Sequence, residues 1–122
     1  MIHHVNFQVP RALVDECREF YELLGFRRTT TPGALADRAL WLSRAGTQIH
    51  LEFAGREGEE VVVAGDIGPG HVAIVVPSFA ETVTALRQSG VTIEPRGNHR
   101  TARRCFVRDP AGNRLELMES AL

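Results

Sequence analysis

The first half of the chain carries an alternating pattern followed by a helical one. Residues 4–9 alternate between polar and apolar side chains, which predicts a strand with one face of each kind that ends at Pro10. Apolar residues then recur at helical spacing up to Gly25, a residue typical of a helix C-terminus. Three more strands are predicted at residues 27–31, 39–43 and 47–53, the last two joined by a hairpin turn.

The second half repeats this order after a linker that we predict at residues 54–69. An alternating strand ends at Pro77, and Ser78 with Glu81 predicts a capping box at the start of a helix that closes at Gly90. Further strands are predicted at three places: residues 91–94, 103–108 and 113–119. The pattern therefore predicts two βαβββ modules, residues 1–53 and 70–122, within a single domain.

Matching segments support an internal repeat. Residues 2–5 superpose on residues 69–72 with a shift of about 67 residues. Residues 45–51 superpose on residues 111–117 with a shift of about 66, and the glycine that closes each predicted helix falls between these anchors at a similar offset. Three anchors in chain order with one offset predict a duplicated α+β unit.

Four polar side chains occupy equivalent positions of the two modules. His4 and His71 belong to the first strand of each module, and His50 and Glu116 belong to the last. Each lies on the face opposite the apolar run, so the apolar faces can pack under the helices while these four side chains point into a shared cavity. Three imidazoles and one carboxylate suit Zn, Fe, Mn, Ni or Co, and such an ion would act as a Lewis acid. The repeat therefore predicts a divalent metal site.

Composition and charge restrict the classes of partner. The 122 residues are 43% hydrophobic and 24% charged, ordinary values for one globular domain. A net charge of -1 gives no field that would attract nucleic acid or a membrane surface. We expect a cytoplasmic location, because we find neither a signal peptide nor a membrane-spanning apolar run. Cys17 and Cys105 are expected to be reduced core thiols. All basic residues are arginine, which excludes a lysine Schiff base.

Four motifs carry a family resemblance: HVNF at residues 4–7, FYELLGF at 20–26, GHVA at 70–73 and DPAGNRLEL at 109–117. Together they resemble the vicinal oxygen chelate superfamily, which includes glyoxalase I, methylmalonyl-CoA epimerase, extradiol dioxygenases, fosfomycin-modifying enzymes and metal-free bleomycin-binding proteins. The resemblance covers essentially the whole chain. It implies a U-shaped, barrel-like mixed sheet around a central cleft, with the helices outside and a divalent metal ion that chelates adjacent substrate oxygens. It also implies a ligand set: His4, His50, His71 and Glu116.

Two departures from the family pattern bear on the reaction. Glyoxalase I and the epimerase resemble each other in placing Glu or Gln where this chain has His50, so one candidate carboxylate base is missing here. The residues after Glu119 lack the basic residue expected of fosfomycin-modifying enzymes, which disfavours those substrates.

Other residues are candidates for the chemistry around the metal. Glu116 and Glu52 are the candidate catalytic carboxylates; Glu52, on the face of His50, is either a base or a solvent-exposed charge at the rim. A basic run from Arg96 to Arg104 either receives an anionic group of the substrate or is a solvated loop. Trp41 is expected in the core or at an interface.

Three functions agree with these residues. The first is a glyoxalase-type isomerase, epimerase or lyase, in which a metal ion binds vicinal oxygens and a base moves a proton. The second is an extradiol-type Fe(II) dioxygenase that uses His4, His71 and Glu116 as a two-histidine, one-carboxylate triad. The third is a metal-free protein that binds a drug or metabolite in the same cleft.

We also expect a homodimer, because two open sheets must cover their cavity faces and their edges. Small members of the family resemble this arrangement: metal ligands from the first half of one chain meet metal ligands from the second half of its partner. The competing arrangement completes the site within one chain.

Overall fold

Each half of the chain folds into a four-stranded mixed sheet with one α-helix. The computed structural model describes residues 1–55, 70–99 and 102–120. It divides into two compact units, Met1–Ala64 and Gly65–Leu122. Within the described residues, neither sheet closes into a barrel, and no helix has the length and apolar character to cross a bilayer.

The first unit contains five elements: β1 (His4–Pro10), α1 (Val14–Leu23), β2 (Arg27–Thr29), β3 (Ala39–Arg44) and β4 (Thr47–Ala54). Its sheet has the order β1-β4-β3-β2. β1 runs parallel to β4, and the other two pairs are antiparallel. Single turns of 3-10 helix precede α1 at Arg11–Leu13 and follow β2 at Gly33–Leu35.

The second unit repeats this plan: β5 (Val72–Val75), α2 (Phe79–Gln88), β6 (Glu94–His99), β7 (Ala102–Arg108) and β8 (Arg114–Met118). Its sheet has the order β5-β8-β7-β6, with β5 parallel to β8 and the remaining pairs antiparallel. The α+β fold class and the two βαβββ modules predicted from the sequence are confirmed. The linker prediction falls mostly on residues 56–69, which lie outside the described residues.

The strand registers make the two units equivalent residue by residue. In the first unit, His50 of β4 lies between Asn6 of the parallel strand β1 and Trp41 of the antiparallel strand β3. In the second unit, Glu116 of β8 lies in the same way between Ala73 of β5 and Phe106 of β7. Paired residues of adjacent strands point to the same face of a sheet. The pairings therefore align His50 with Glu116, as the repeat predicted.

Both helices end in the same glycine turn. Gly25 and Gly90 have φ angles of 95° and 85°, in the left-handed region that favours glycine. The residue after each glycine donates its backbone N–H to a carbonyl oxygen of the preceding helix. Phe26 N–H donates to Tyr21 O at 3.1 Å, and Val91 N–H donates to a backbone carbonyl of α2 at 3.0 Å. This is the Schellman arrangement, and it confirms both predicted helix ends.

Apolar side chains of the helices and of the opposite strand positions form the buried core of each unit. Tyr21, Leu42 and Leu51 are fully buried in the first unit, and Leu86 and Leu115 in the second. Both cysteines are buried thiols rather than members of a disulfide, as predicted. Burial raises the pKa of the Cys105 thiol, so it behaves as a small apolar side chain.

Two local predictions of the second unit were wrong. The strand expected at residues 91–94 begins only at Glu94 and continues through Pro95 and Gly97, residues that usually end a strand. Proline is tolerated there because β6 is an edge strand, and its register shifts before His99. Ser78 is the helix N-cap, but its side chain makes no capping hydrogen bond.

Candidate functional site

His50 lies in a column of stacked rings on the polar face of the first unit. Its ring is parallel to that of Trp41, with centroids 4.0 Å apart, and nearly parallel to that of His4, with centroids 4.1 Å apart. His50 Nε2 lies 2.8 Å from Gln48 Oε1, and the residue is only 7% exposed. The column forms because Trp41 lies directly opposite His50 on β3, while His4 comes from the parallel strand β1.

The surroundings of His50 favour a neutral imidazole. Burial lowers the pKa of His50, and the nearby imidazoles of His4 and His3 lower it further. His3 and His4 are themselves close, with their Nδ1 atoms 2.9 Å apart. Metal ions bind the neutral form of imidazole, so this position is suited to a ligand near neutral pH.

Glu116 lies at the equivalent position of the second unit, between two nitrogen donors. Its Oε2 is 2.9 Å from His71 Nε2, and its Oε1 is 3.2 Å from Arg104 Nη1. The residue is 7% exposed, and its two partners are about one-third exposed. His71 lies one residue before β5 rather than within the predicted strand, with its ring edge-on to Phe106. Both oxygens of the buried carboxylate are therefore engaged.

The polar faces of the two sheets differ in charge. Three arginines of the second unit replace neutral residues at equivalent register positions: Arg104 for Ala39, Arg108 for Ser43 and Arg114 for Gln48. In the other direction, Glu52 of the first unit corresponds to Met118 of the second. At these register positions the first unit is neutral apart from Glu52, and the second is basic.

Glu52 lies on the face of His50, as the sequence predicted. It is exposed, and its Oε2 accepts a hydrogen bond of 3.2 Å from Asn6 Nδ2 on β1. The register places Glu52 opposite Gln8, next to the polar positions of β1. A catalytic role for Glu52 stays a prediction.

The structure brings the predicted ligands together in two pairs, His4 with His50 and His71 with Glu116. In the described part of each unit taken by itself, no three His, Cys, Asp or Glu side chains are grouped to hold a metal ion. Each pair supplies two donors of the kind that borderline divalent ions accept, so the residues fit such an ion in their chemistry. The prediction that all four share one metal ion stays a prediction.

Sequence reasoning missed two features of the second unit. The basic run from Arg96 to Arg104 is not a solvated loop throughout, since Arg96 belongs to β6 and Arg104 to β7, where it contacts Glu116. Arg114 was not singled out, although it precedes Glu116 by two residues and so shares its face. That spacing was the available signal.

The family can be assigned from the sequence as a whole. A model of the Glyoxalase/Bleomycin resistance protein/Dioxygenase superfamily matches residues 1–117. The chain belongs to this superfamily. The glyoxalase superfamily contains many enzymes and typically uses a divalent metal ion. A comparison with the curated proteins finds no match to the chain.

Solved structures share this fold over nearly the whole chain. A Bacillus anthracis protein described as a candidate member of the glyoxalase family is 27% identical, with a TM-score of 0.79 over 98% of this chain and 94% of that one. A Bacillus cereus protein described as a candidate glyoxalase is 24% identical, with a TM-score of 0.68 over 97% of both chains. The oxidase ChaP-H2 is 18% identical, with a TM-score of 0.69 over 98% of this chain and 93% of its own. The last two show the fold alone.

Proposed function

We propose that the protein is a divalent-metal-dependent enzyme of the glyoxalase type, which promotes proton transfer on a small substrate with adjacent oxygens. This is isomerase, epimerase or lyase chemistry. The observation that supports it is the repeated placement of donors: a histidine beside His50 in the first unit and a histidine beside Glu116 in the second, at equivalent register positions. When bound, the metal ion would polarise both substrate oxygens as a Lewis acid.

The chain's own residues have distinct roles in this proposal. The proposed ligands are His4, His50, His71 and Glu116, for a Zn, Ni, Co, Mn or Fe ion. Glu116 supplies the anionic ligand, and the hydrogen bond from Arg104 to its Oε1 orients the carboxylate. The proposed base is Glu52, held on the face of His50 by the amide of Asn6.

Metal content is the first test. Protein purified without added metal is analysed for its elements and then assayed on a panel of substrates with vicinal oxygens. We expect His71→Ala to lower the metal stoichiometry sharply while circular dichroism stays largely unchanged. Asp37→Ala is the control, because Asp37 is an exposed carboxylate outside the proposed ligand set. Full metal retention in His71→Ala would contradict the assignment.

A metal-free binding protein is the second candidate, and one observation favours it. Within each unit the donors already have partners, since Glu116 bonds to His71 and Arg104, and His50 Nε2 meets Gln48 Oε1. Protein that contains no metal and takes up none on dialysis, yet binds a small molecule, would select this function. Iron together with oxygen uptake on catechols would select the Fe(II) dioxygenase instead.

We propose further that the working unit is a homodimer with metal sites shared between chains. In the described residues β1 and β5 each lie at an edge of their sheet, the position at which open sheets pair with a partner. Mixing a His4→Ala chain with a Glu116→Ala chain tests this, because a heterodimer would hold one intact site and one doubly broken site. Partial return of metal binding supports the shared site. A monomer in sedimentation, or no recovery despite subunit exchange, contradicts it. The cytoplasmic location stays a prediction from the sequence.

A further inference from the structure

Phe106, on β7 of the second unit, is in contact with two guanidinium groups and one imidazole. The guanidinium carbon of Arg114 lies 4.1 Å from the centre of the Phe106 ring, and that of Arg96 lies 4.9 Å from it. The ring of His71 approaches the same side chain edge-on, with centroids 4.8 Å apart. Phe106 is 7% exposed, so its ring is a nearly buried platform between these groups.

Within the described residues, Arg114 differs from Arg96 and Arg104 in having no acidic partner. Arg96 pairs with Glu94 at 2.8 Å, and Arg104 pairs with the carboxylate of Glu116. Among the described residues, Arg114 forms no ion pair and no hydrogen bond, and its guanidinium is held by stacking on Phe106. A stacked guanidinium has lost part of its freedom, while its N–H groups remain available to a planar oxyanion.

A cavity of about 460 Å³ opens beside Phe106 and Arg114. Its lining includes Arg108, whose Nη1 donates to Gly112 O, and Thr92 after the end of α2. Among the described lining residues Glu94 is the only one with a carboxylate, and it is already paired with Arg96. Among the described residues no carboxylate balances the charge of Arg114, so the cavity favours an anion at that side chain.

The first unit provides an internal comparison for this cavity. At the register positions of Arg114 and Arg108 it has Gln48 and Ser43, which carry no charge. The arginines are therefore not required by the fold of a βαβββ unit. They belong to the chemistry of the second unit alone.

We propose that this cavity of the second unit binds an oxyanion of the substrate, a carboxylate or a phosphate, with Arg114 as the main contact and Arg108 as the second. Placing that group on the substrate rests on the proposed function, whereas binding of the anion does not. Phe106 touches both Arg114 and His71, so a single ring separates the anion site from the second proposed ligand pair. The substrate class is thus a small acid whose anionic group lies a few atoms from its adjacent oxygens.

The anion site is tested on metal-free protein, treated with a chelator, by calorimetric titration with inorganic phosphate and with acetate at constant ionic strength. We expect saturable binding by the unchanged protein. Arg114→Gln should weaken it at least about tenfold, because a charge-assisted hydrogen bond is lost. Arg114→Lys, which keeps the charge over Phe106 but loses the planar fork, should show an intermediate affinity.

Arg103→Gln is the matched control. Arg103 lies on the same strand as Phe106 and carries the same charge, but it pairs with Glu119 and does not line this cavity. The affinity of the Arg103→Gln variant for phosphate and for acetate should equal that of the unchanged protein. Absence of saturable binding by the unchanged protein overturns the proposal, as does equal weakening in Arg103→Gln and Arg114→Gln. Thermal midpoints establish that each variant is folded.

Turnover separates this inference from the proposed function. With an acid substrate of the metal-loaded enzyme, Arg114→Gln should raise KM at least about tenfold and change kcat less, while a neutral ester of that acid is unaffected. Anion binding that depends on Arg114 without any turnover would leave the cavity standing and reject the proposed function. Turnover of acids that does not depend on Arg114 would reject the anion site on the substrate path and leave the proposed function standing.

Discussion

His50 and Glu116 occupy the same place in two copies of one fold, with surroundings of opposite kinds. Each is nearly buried, and each lies between a parallel and an antiparallel neighbour. His50 is held by parallel rings, and Glu116 is held by a guanidinium and an imidazole. The comparison shows that strand register determines where a side chain lies, while residues on neighbouring strands determine its chemistry.

The turns before β4 and β8 are likewise equivalent in position and differ in what stabilises them. Ala45 and Gly46 have φ angles of 49° and 84°, positive at both central positions as in a type I′ hairpin turn. The equivalent turn of the second unit is built around Asp109, whose carboxylate accepts hydrogen bonds from the N–H of Ala111 and from both the N–H and the side chain of Asn113. One turn depends on backbone conformation, and the other depends on a buried carboxylate.

The largest difference between the units should come from Asp109. Replacing it with Ala removes three hydrogen bonds to a side chain that is 3% exposed, so we expect the free energy of unfolding to fall by about 3 kcal/mol. Urea unfolding of metal-free protein measures this. Asp37→Ala, at an exposed aspartate, is the control and should change stability little. A loss below about 1 kcal/mol would mean that the backbone alone maintains the turn.

The same substitution at the two equivalent positions should have unequal effects. We expect Glu116→Gln to cost about 2 kcal/mol, because the guanidinium of Arg104 and the imidazole of His71, both partly exposed, lose their anionic partner. His50→Gln should cost about 1 kcal/mol, the contribution of its stacking. Urea unfolding of both variants without metal compares them directly. An equal or larger cost at His50 would remove the distinction between an ionic site and a stacked one.

Acid should act on the first unit through His50. The pKa of His50 is lowered in the folded protein, so the unfolded chain takes up a proton at a higher pH than the folded protein does. The free energy of unfolding without metal should therefore decrease as the pH falls through the ordinary range of histidine, until folded His50 is protonated too. His50→Gln should flatten this dependence, whereas His3→Gln at the exposed neighbour should change it less. If the free energy of unfolding of His50→Gln depended on pH as steeply as that of the unchanged protein, His50 would not be the group responsible.

The smallest effect is a gain at the first turn. Ala45 holds a positive φ angle that alanine adopts poorly, whereas asparagine followed by glycine is favoured in a type I′ turn. We expect Ala45→Asn to raise the free energy of unfolding by about 0.5 kcal/mol. Ala36→Asn, at an exposed alanine without a positive φ angle, is the control in thermal and urea unfolding. A loss of stability in Ala45→Asn would show that the turn is not strained.

Alternation along single strands was sufficient to predict much of this arrangement. It placed His50 and Glu116 opposite the apolar runs, and the repeat aligned them correctly across the two units. It could not predict β6, because Pro95 and Gly97 hide an edge strand. Nor could it predict that Arg104 reaches Glu116 from twelve residues away, since that contact depends on the register between β7 and β8.

Trp41 is the only tryptophan of the chain, and its indole is stacked on His50. Its fluorescence therefore originates at one defined point, against the ring that changes charge when acid is added. The equivalent residue of the second unit is Phe106, which does not emit in the same range. A duplicated fold usually gives overlapping optical signals from its two copies. This chain has an intrinsic reporter in the first copy alone, and its emission can be followed without any label.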